Sequence, residues 1–243
     1  MHIIPLRGIP ELEEGDDLGA LLAGSAERSG GLERDDVVVV AQKAVSKVEG
    51  RVVRLSDIEP SPRAWKLAAG EDPRRMEVIL RESREVVRAR PPLVIAETHH
   101  GFVCASAGVD ASNAKGPDTV VLLPVDPDAS ARNLRERIRE LAGVDVGVIV
   151  SDSFGRAWRR GTTDVALGVS GMAPLLDLKG QRDAAGYELH ATEIAVADEI
   201  AGAAELVMGK TDGVPAAIVR GMTAKGNGRG VDLLMPRERD LFR

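Results

Sequence analysis

Apolar and polar positions follow two rhythms along the chain, one helical and one extended. After a short apolar opening, HIIPLRGIP, the stretch GDDLGALLAGSAERSG (15–30) predicts a helix with acidic residues in its first turn and glycine at its end. DDVVVVAQKAVS (35–46) predicts a strand, because four β-branched valines in a row suit a sheet better than a helix. Two helices are predicted over SPRAWKLAAG (61–70) and DPRRMEVILRESREVVRAR (72–90). Each starts at a capping residue, Ser61 or Asp72, followed at once by proline. Apolar runs predict further strands in PPLVIAET (91–98), GFVCASAGVDASN (101–113, running into a loop) and TVVLLP (119–124). DASARNLRERIRELAG (128–143) sets Leu134, Ile138 and Leu141 on one helical face, and VGVIVS (146–151) reads as a buried strand. ATEIAVADEIAGAAELVMG (191–209) predicts the longest helix, and AAIVRGM (216–222) a late strand. Strands and helices interleave without strict βαβ alternation, which predicts a mixed α/β or α+β fold. With no linker or internal repeat, residues 1–243 are expected to form a single domain with a polar tail over about 224–243.

Composition narrows the function classes. Aromatics are 2% of the chain, so the core rests on Val, Leu, Ile and Ala, and platforms for stacking single-stranded bases are scarce. A net charge of −6 offers nucleic acid no general attraction, so an anionic ligand would need a local basic patch. Cys104 is the only cysteine, which rules out an intrachain disulfide or a thiolate metal site and reads as a small core residue. The opening residues lack the apolar core of a signal peptide, and no stretch is apolar enough to span a bilayer. A cytoplasmic protein without a membrane or nucleic-acid partner is the expectation.

Three stretches offer chemistry. SDSFGRAWRRG (151–161) follows a predicted strand, and α/β proteins tend to place ligands at strand ends. Asp152 and Ser153 supply oxygens suited to Mg²⁺ or Mn²⁺, and Arg156, Arg159 and Arg160 supply donors for phosphate or carboxylate. The same stretch also reads as a solvated helix start. AGVDASN (107–113) places Asp110 and Asn113 where they suit either a hard cation or an ordinary turn, and alone the turn is favoured. QKAVSKVEGR brings Lys43, Lys47 and Arg51 after the valines, either for a phosphate or as a solvated loop; the loop is the stronger reading. GKT at 209–211 imitates the end of a P-loop, but the glycine required five positions earlier is Ala204. His99 and His100 show no ligand spacing and read as surface residues.

Taken in order, GIPEL, VSKVEGR, AGVDASN, VSDSFGRAWRRG, VADEIAGAAELVMGK and DGVPAAIVRG make the chain resemble the coenzyme F420-0:γ-glutamyl ligases, from Ile3 to about Met222. The resemblance is to the stand-alone ligase, without the reductase-like domain that follows in some relatives. It implies the fold peculiar to that family and a homodimer that adds L-glutamate to F420-0 with GTP, using Mg²⁺ or Mn²⁺ (one or two ions) and K⁺. By position, Asp110 and Asp152 would hold one divalent ion, and Ser153 would help hold a second. GTP would meet Ile9, Pro10, Glu11, Leu12, Lys47 and Asn113. The turn Met208, Gly209, Lys210, Thr211, Asp212, Gly213, Val214 would close over it. Gln42 and Lys43, which would also meet GTP, stand where the family pattern has a Ser-Thr pair, and Lys210 stands where it has an acidic metal ligand. A protonated lysine has no lone pair for a cation, so Lys210 is expected to bond a phosphate instead. The rival readings are another metal- and nucleotide-dependent small-molecule enzyme, and a non-catalytic GTP-binding module.

Overall fold

The computed structural model describes residues 1–112, 116, 118–222 and 226–242. Its strands are β1 (His2–Pro5), β2 (Val37–Ala41), β3 (Val52–Arg54), β4 (Ser83–Arg90), β5 (Leu93–Thr98), β6 (Val103–Ala105), β7 (Thr119–Val121), β8 (Gly147–Arg156), β9 (Arg159–Ser170), β10 (Leu176–Asp177), β11 (Glu193–Ile194) and β12 (Ala216–Arg220). Its α-helices are α1 (Leu18–Arg28), α2 (Gln42–Val48), α3 (Pro62–Ala68), α4 (Pro73–Arg81), α5 (Pro127–Ala142) and α6 (Val196–Met208). The fold is mixed α+β.

A five-stranded sheet in the order β1-β12-β2-β8-β9 forms the centre, with β2 and β8 parallel and the other pairs antiparallel. All four valines of β2 are buried, because helices cover both faces. Val38, Val40, Val148, Val150 and Ile218 pack toward α1, α2 and α5, while Val37, Val39, Ile149, Ala217 and Val219 pack toward α6. Alternation along each strand therefore divides one sheet between two cores. A third core lies under α3, α4 and the antiparallel β4-β5-β6 sheet, and includes Met76, Ile79, Val94 and Val120.

Four elements differ from the sequence expectation. The valine strand ends at Ala41, and the next residues form α2 rather than more strand or a solvated loop, burying Gln42, Ala44, Val45 and Ser46. The helix begun at Pro73 stops at Arg81, and SREVVRAR becomes β4, paired with β5 through two register shifts. Glu and Arg are good helix formers, but propensity decides little on its own, and sheet pairing overrides it here. VGVIVS continues through the whole stretch SDSFGR as β8, then turns at Ala157–Trp158 into β9. It is thus a hairpin and not a helix start. α6 begins at Val196, so at 13 residues it is shorter than the 16-residue α5.

The tail is tied to the body beyond Met222. The buried Asp128 carboxylate accepts the backbone N–H groups of Val169 (2.8 Å) and Gly230 (2.6 Å). A side chain at Gly230 would lie 2.1 Å from the Leu167 carbonyl, so only glycine lets the tail come this close.

Candidate functional site

The parallel pair β2–β8 decides where the site lies. Both strands end at the same edge of the sheet, and the loops beyond that edge leave a cleft of about 570 Å³. Ile9, Pro10, Glu11 and Leu12 line one wall, and Gln42, Lys43, Ala44 and Lys47 of α2 line another. Ser151, Asp152 and Ser153 come from β8, and Met208, Gly209, Lys210, Thr211, Gly213 and Val214 close the third side. The residues implied for GTP by the resemblance therefore meet from three separated parts of the chain. Asp212 is not among the lining residues and accepts a hydrogen bond from Thr211 Oγ1 at 3.4 Å. Asn113 lies outside the described residues.

Acids and lysines form two groups at the cleft; Asp110 is not among the lining residues and joins one group through Lys43. At one end Lys43 Nζ is 2.7 Å from Asp110 Oδ2 and donates to Ser112 Oγ at 2.7 Å. The Ser112 N–H also donates to Asp110 Oδ1 at 2.7 Å. Burial opposes ionisation of Asp110, but Lys43 and the Ser112 donors outweigh it and hold the carboxyl below its ordinary range. At the other end Ser153 Oγ donates to Asp164 Oδ1, and Ser151 Oγ donates to Asp164 Oδ2 at 2.9 Å. The Asp164 N–H donates to Glu205 Oε2 at 3.1 Å. Lys210 Nζ donates to Ser153 Oγ and stands 4.0 Å from Glu205 Oε1.

Asp152 sits between these groups. Burial pushes its carboxyl up to about 6, and the nearby Asp164 carboxylate adds to this; the Ser153 N–H, Lys43 and Lys210 oppose it. Two aspartates in one site thus titrate in opposite directions, because one touches a lysine and the other does not. At the lip, Lys47 Nζ pairs with Glu11 Oε1 at 2.5 Å. Among the described residues, no three His, Cys, Asp or Glu side chains group tightly enough to hold a metal by themselves.

The arginines are placed elsewhere. Arg156, Arg159 and Arg160 stand on the exposed arm of the β8–β9 hairpin and do not line the cleft. Arg156 Nη2 donates to the Arg160 carbonyl at 3.0 Å, and Trp158 packs on Phe242 with ring centroids 4.8 Å apart. His99 is exposed, whereas His100 is half-buried against Phe102 and donates toward the carbonyls of Pro124 and Val125. Arg51 pairs with Glu82 at 2.8 Å, away from the cleft.

Sequence reasoning missed Ser151, Asp164 and Glu205. Asp164 lies directly across the hairpin from Ser153, a register visible only once β9 exists. The available signal was a single acid entering the apolar run DVALGV. Glu205 shares the α6 face that carries Ala201 and Met208, where an acid among buried apolar residues is out of place.

Comparison with known proteins shows the family of the chain. The family model described as F420-0:Gamma-glutamyl ligase matches residues 8–221. A Methanopyrus kandleri protein named coenzyme F420:L-glutamate ligase is 49% identical, over 100% of this chain and 98% of its own length. Proteins of the same name from Methanothermobacter thermautotrophicus and Archaeoglobus fulgidus are 43% and 41% identical, again over 100% of this chain and 99% and 96% of theirs. The chain is thus an enzyme, one of the ligases that form an amide bond. Within that class, the chain belongs to the F420-0:γ-glutamyl ligase family.

Proposed function

We propose that this chain joins L-glutamate to coenzyme F420-0 at the expense of GTP, through an acyl phosphate, in F420 biosynthesis, and that further γ-linked glutamates can follow. The carrying observation is the cleft at the β2–β8 edge, into which the wall 9–12, helix α2 and the turn after α6 bring most of the residues expected to meet GTP. The chain further acts as a cytoplasmic homodimer and uses K⁺. Among the described residues no helix is long and apolar enough to cross a membrane.

Amide formation from a carboxylate is uphill until its oxygen becomes a leaving group. In this reading a substrate carboxylate oxygen attacks the γ-phosphorus of GTP and GDP departs. The glutamate nitrogen then attacks the acyl carbon, phosphate departs and the amine sheds a proton. The protein must position these partners, offset phosphate charge and exclude water from the acyl phosphate. Lys47, Lys43 and Lys210 face the cleft with the required positive charge, and Lys47 can exchange Glu11 for a phosphate oxygen.

The oxygen donors fit one hard cation. Mg²⁺ is commonly held by one or two carboxylates together with substrate phosphates and water; Asp152, which lines the cleft, fits the first, and Asp110 beside Lys43 is the proposed second. When bound, the ion supplies charge neutralisation at the transferring phosphoryl group. Asp152 and Asp110 would hold it while the Ser153 N–H, which donates to Asp152, keeps that carboxylate oriented.

Mass spectrometry of F420 species tests the proposal after incubation with GTP, Mn²⁺ and L-glutamate. Species heavier by single glutamate increments are expected, and ¹⁸O from labelled substrate carboxylate should appear in the released phosphate. No increment under any divalent metal, or unlabelled phosphate, refutes the reading.

A further inference from the structure

We propose that Lys210 is a built-in cation, its ammonium taking the charge role of a metal ion at the Ser153 end of the cleft so that this end binds no divalent ion of its own. The inference rests on the phosphate-handling reading above and adds to it a metal stoichiometry set by this chain's own residues.

The contacts carry it. Lys210 Nζ donates to Ser153 Oγ, which donates in turn to Asp164 Oδ1, while Ser151 Oγ holds Asp164 Oδ2. The same ammonium lies 4.0 Å from Glu205 Oε1, whose other oxygen accepts the Asp164 N–H. One positive charge therefore serves two carboxylates, one directly and one through a hydroxyl. These are hard oxygen ligands of the kind a Mg²⁺ or Mn²⁺ ion would take, but an ammonium already stands among them. A dication entering there would be repelled by Lys210 and would have to displace its hydrogen bond to Ser153.

The opposite end differs. Lys43 is committed to Asp110 and Ser112, and no described side chain hydrogen-bonds Asp152 or forms an ion pair with it. A single divalent ion can join Asp152 without expelling an ammonium, and Asp110 Oδ1, which accepts the Ser112 N–H while Oδ2 pairs with Lys43, can be its second ligand. Lys210 is also half in solvent, on a flexible four-carbon stem. It can lean from Ser153 toward an entering phosphate while keeping its charge at the same end. The result is one fixed organic charge and one exchangeable metal charge on opposite sides of Asp152.

The test counts protein-bound Mn²⁺ by equilibrium dialysis and electron paramagnetic resonance, with and without the non-hydrolysable β,γ-imido analogue of GTP. Three proteins are compared: the unaltered chain, Lys210→Glu and Lys210→Arg. Lys210→Glu is expected to bind one more Mn²⁺ per protomer than the unaltered chain, and Lys210→Arg the same number. Thermal melting of each variant confirms the fold, which an exposed side chain on a turn leaves intact. Equal counts in the unaltered chain and Lys210→Glu would overturn the proposal. The count in the unaltered chain separately tests the Asp110–Asp152 ion. A count of zero there, with a gain of one in Lys210→Glu, would refute that ion while upholding the role of Lys210.

Discussion

The β8–β9 hairpin is one continuous ladder with two unlike halves. Its stem, from Gly147 to Ser153 and from Asp164 to Ser170, is inside the protein and carries Ser151, Asp152, Ser153 and Asp164. Its arm, around Arg156–Arg160, is in solvent and carries three arginines and Trp158, which is 86% exposed. The two halves share backbone hydrogen bonding but not environment. Burial makes the polar groups of the stem exacting: each needs a partner, and Asp152, which no described side chain hydrogen-bonds or pairs with, is driven toward its neutral form. Water satisfies the arm, so its charges cost little and do little. Charge density in the sequence is therefore a poorer guide to the site than a few polar residues inside an apolar ladder.

Substitutions sharpen this contrast. The largest effect is expected from Ile149→Ala, which empties a fully buried stem position between sheet and α6. It should lower stability by about 2–5 kcal/mol in denaturant unfolding. Asp152→Asn preserves shape while removing the charge; ligase turnover should fall by about 10²-fold or more, with the melting temperature nearly unchanged. Asp128→Ala leaves the N–H groups of Val169 and Gly230 without their acceptor, a loss of about 1–3 kcal/mol that releases the tail first and can be followed by amide exchange. On the arm, Arg156→Ala, Arg159→Ala and Arg160→Ala should each stay within about 0.5 kcal/mol of the parent stability. Turnover should hold within about threefold, a change of well under 1 kcal/mol in the barrier. A hundredfold loss from any of the three would erase the distinction between stem and arm.

The smallest effect is chemical. Burial pushes the Cys104 thiol up to about 12, so essentially no thiolate exists at neutral pH. An aromatic disulfide reagent should leave Cys104 untouched in the native protein and label it on unfolding. In Trp158→Cys the arm position should react at once.

The same contrast explains what could be read from the sequence. The four valines of β2, the proline-opened helix α3 and start of α4, the helix α5 and VGVIVS were legible because local pattern and burial agree there. The two-sided sheet was not, since only tertiary pairing reveals that β12 inserts between β1 and β2. α2 was hidden because a short helix follows a strand with no polar cap to separate them. Asp110, Asp152 and Ser153 could be singled out from chemistry and motif order, whereas Asp164 and Glu205 needed the cross-strand register and the docking of α6. The arginines drew attention through their number alone, and the turn at Ala157–Trp158 carries them away from the cleft.

Glutamate-dependent release of phosphate from GTP tests the account most directly. The unaltered chain should release phosphate only when GTP, a divalent cation, L-glutamate and F420-0 are all present, and Asp152→Asn should nearly abolish that release while Arg159→Ala retains it. Release at the same rate without L-glutamate or without F420-0, or full release by Asp152→Asn, would contradict it.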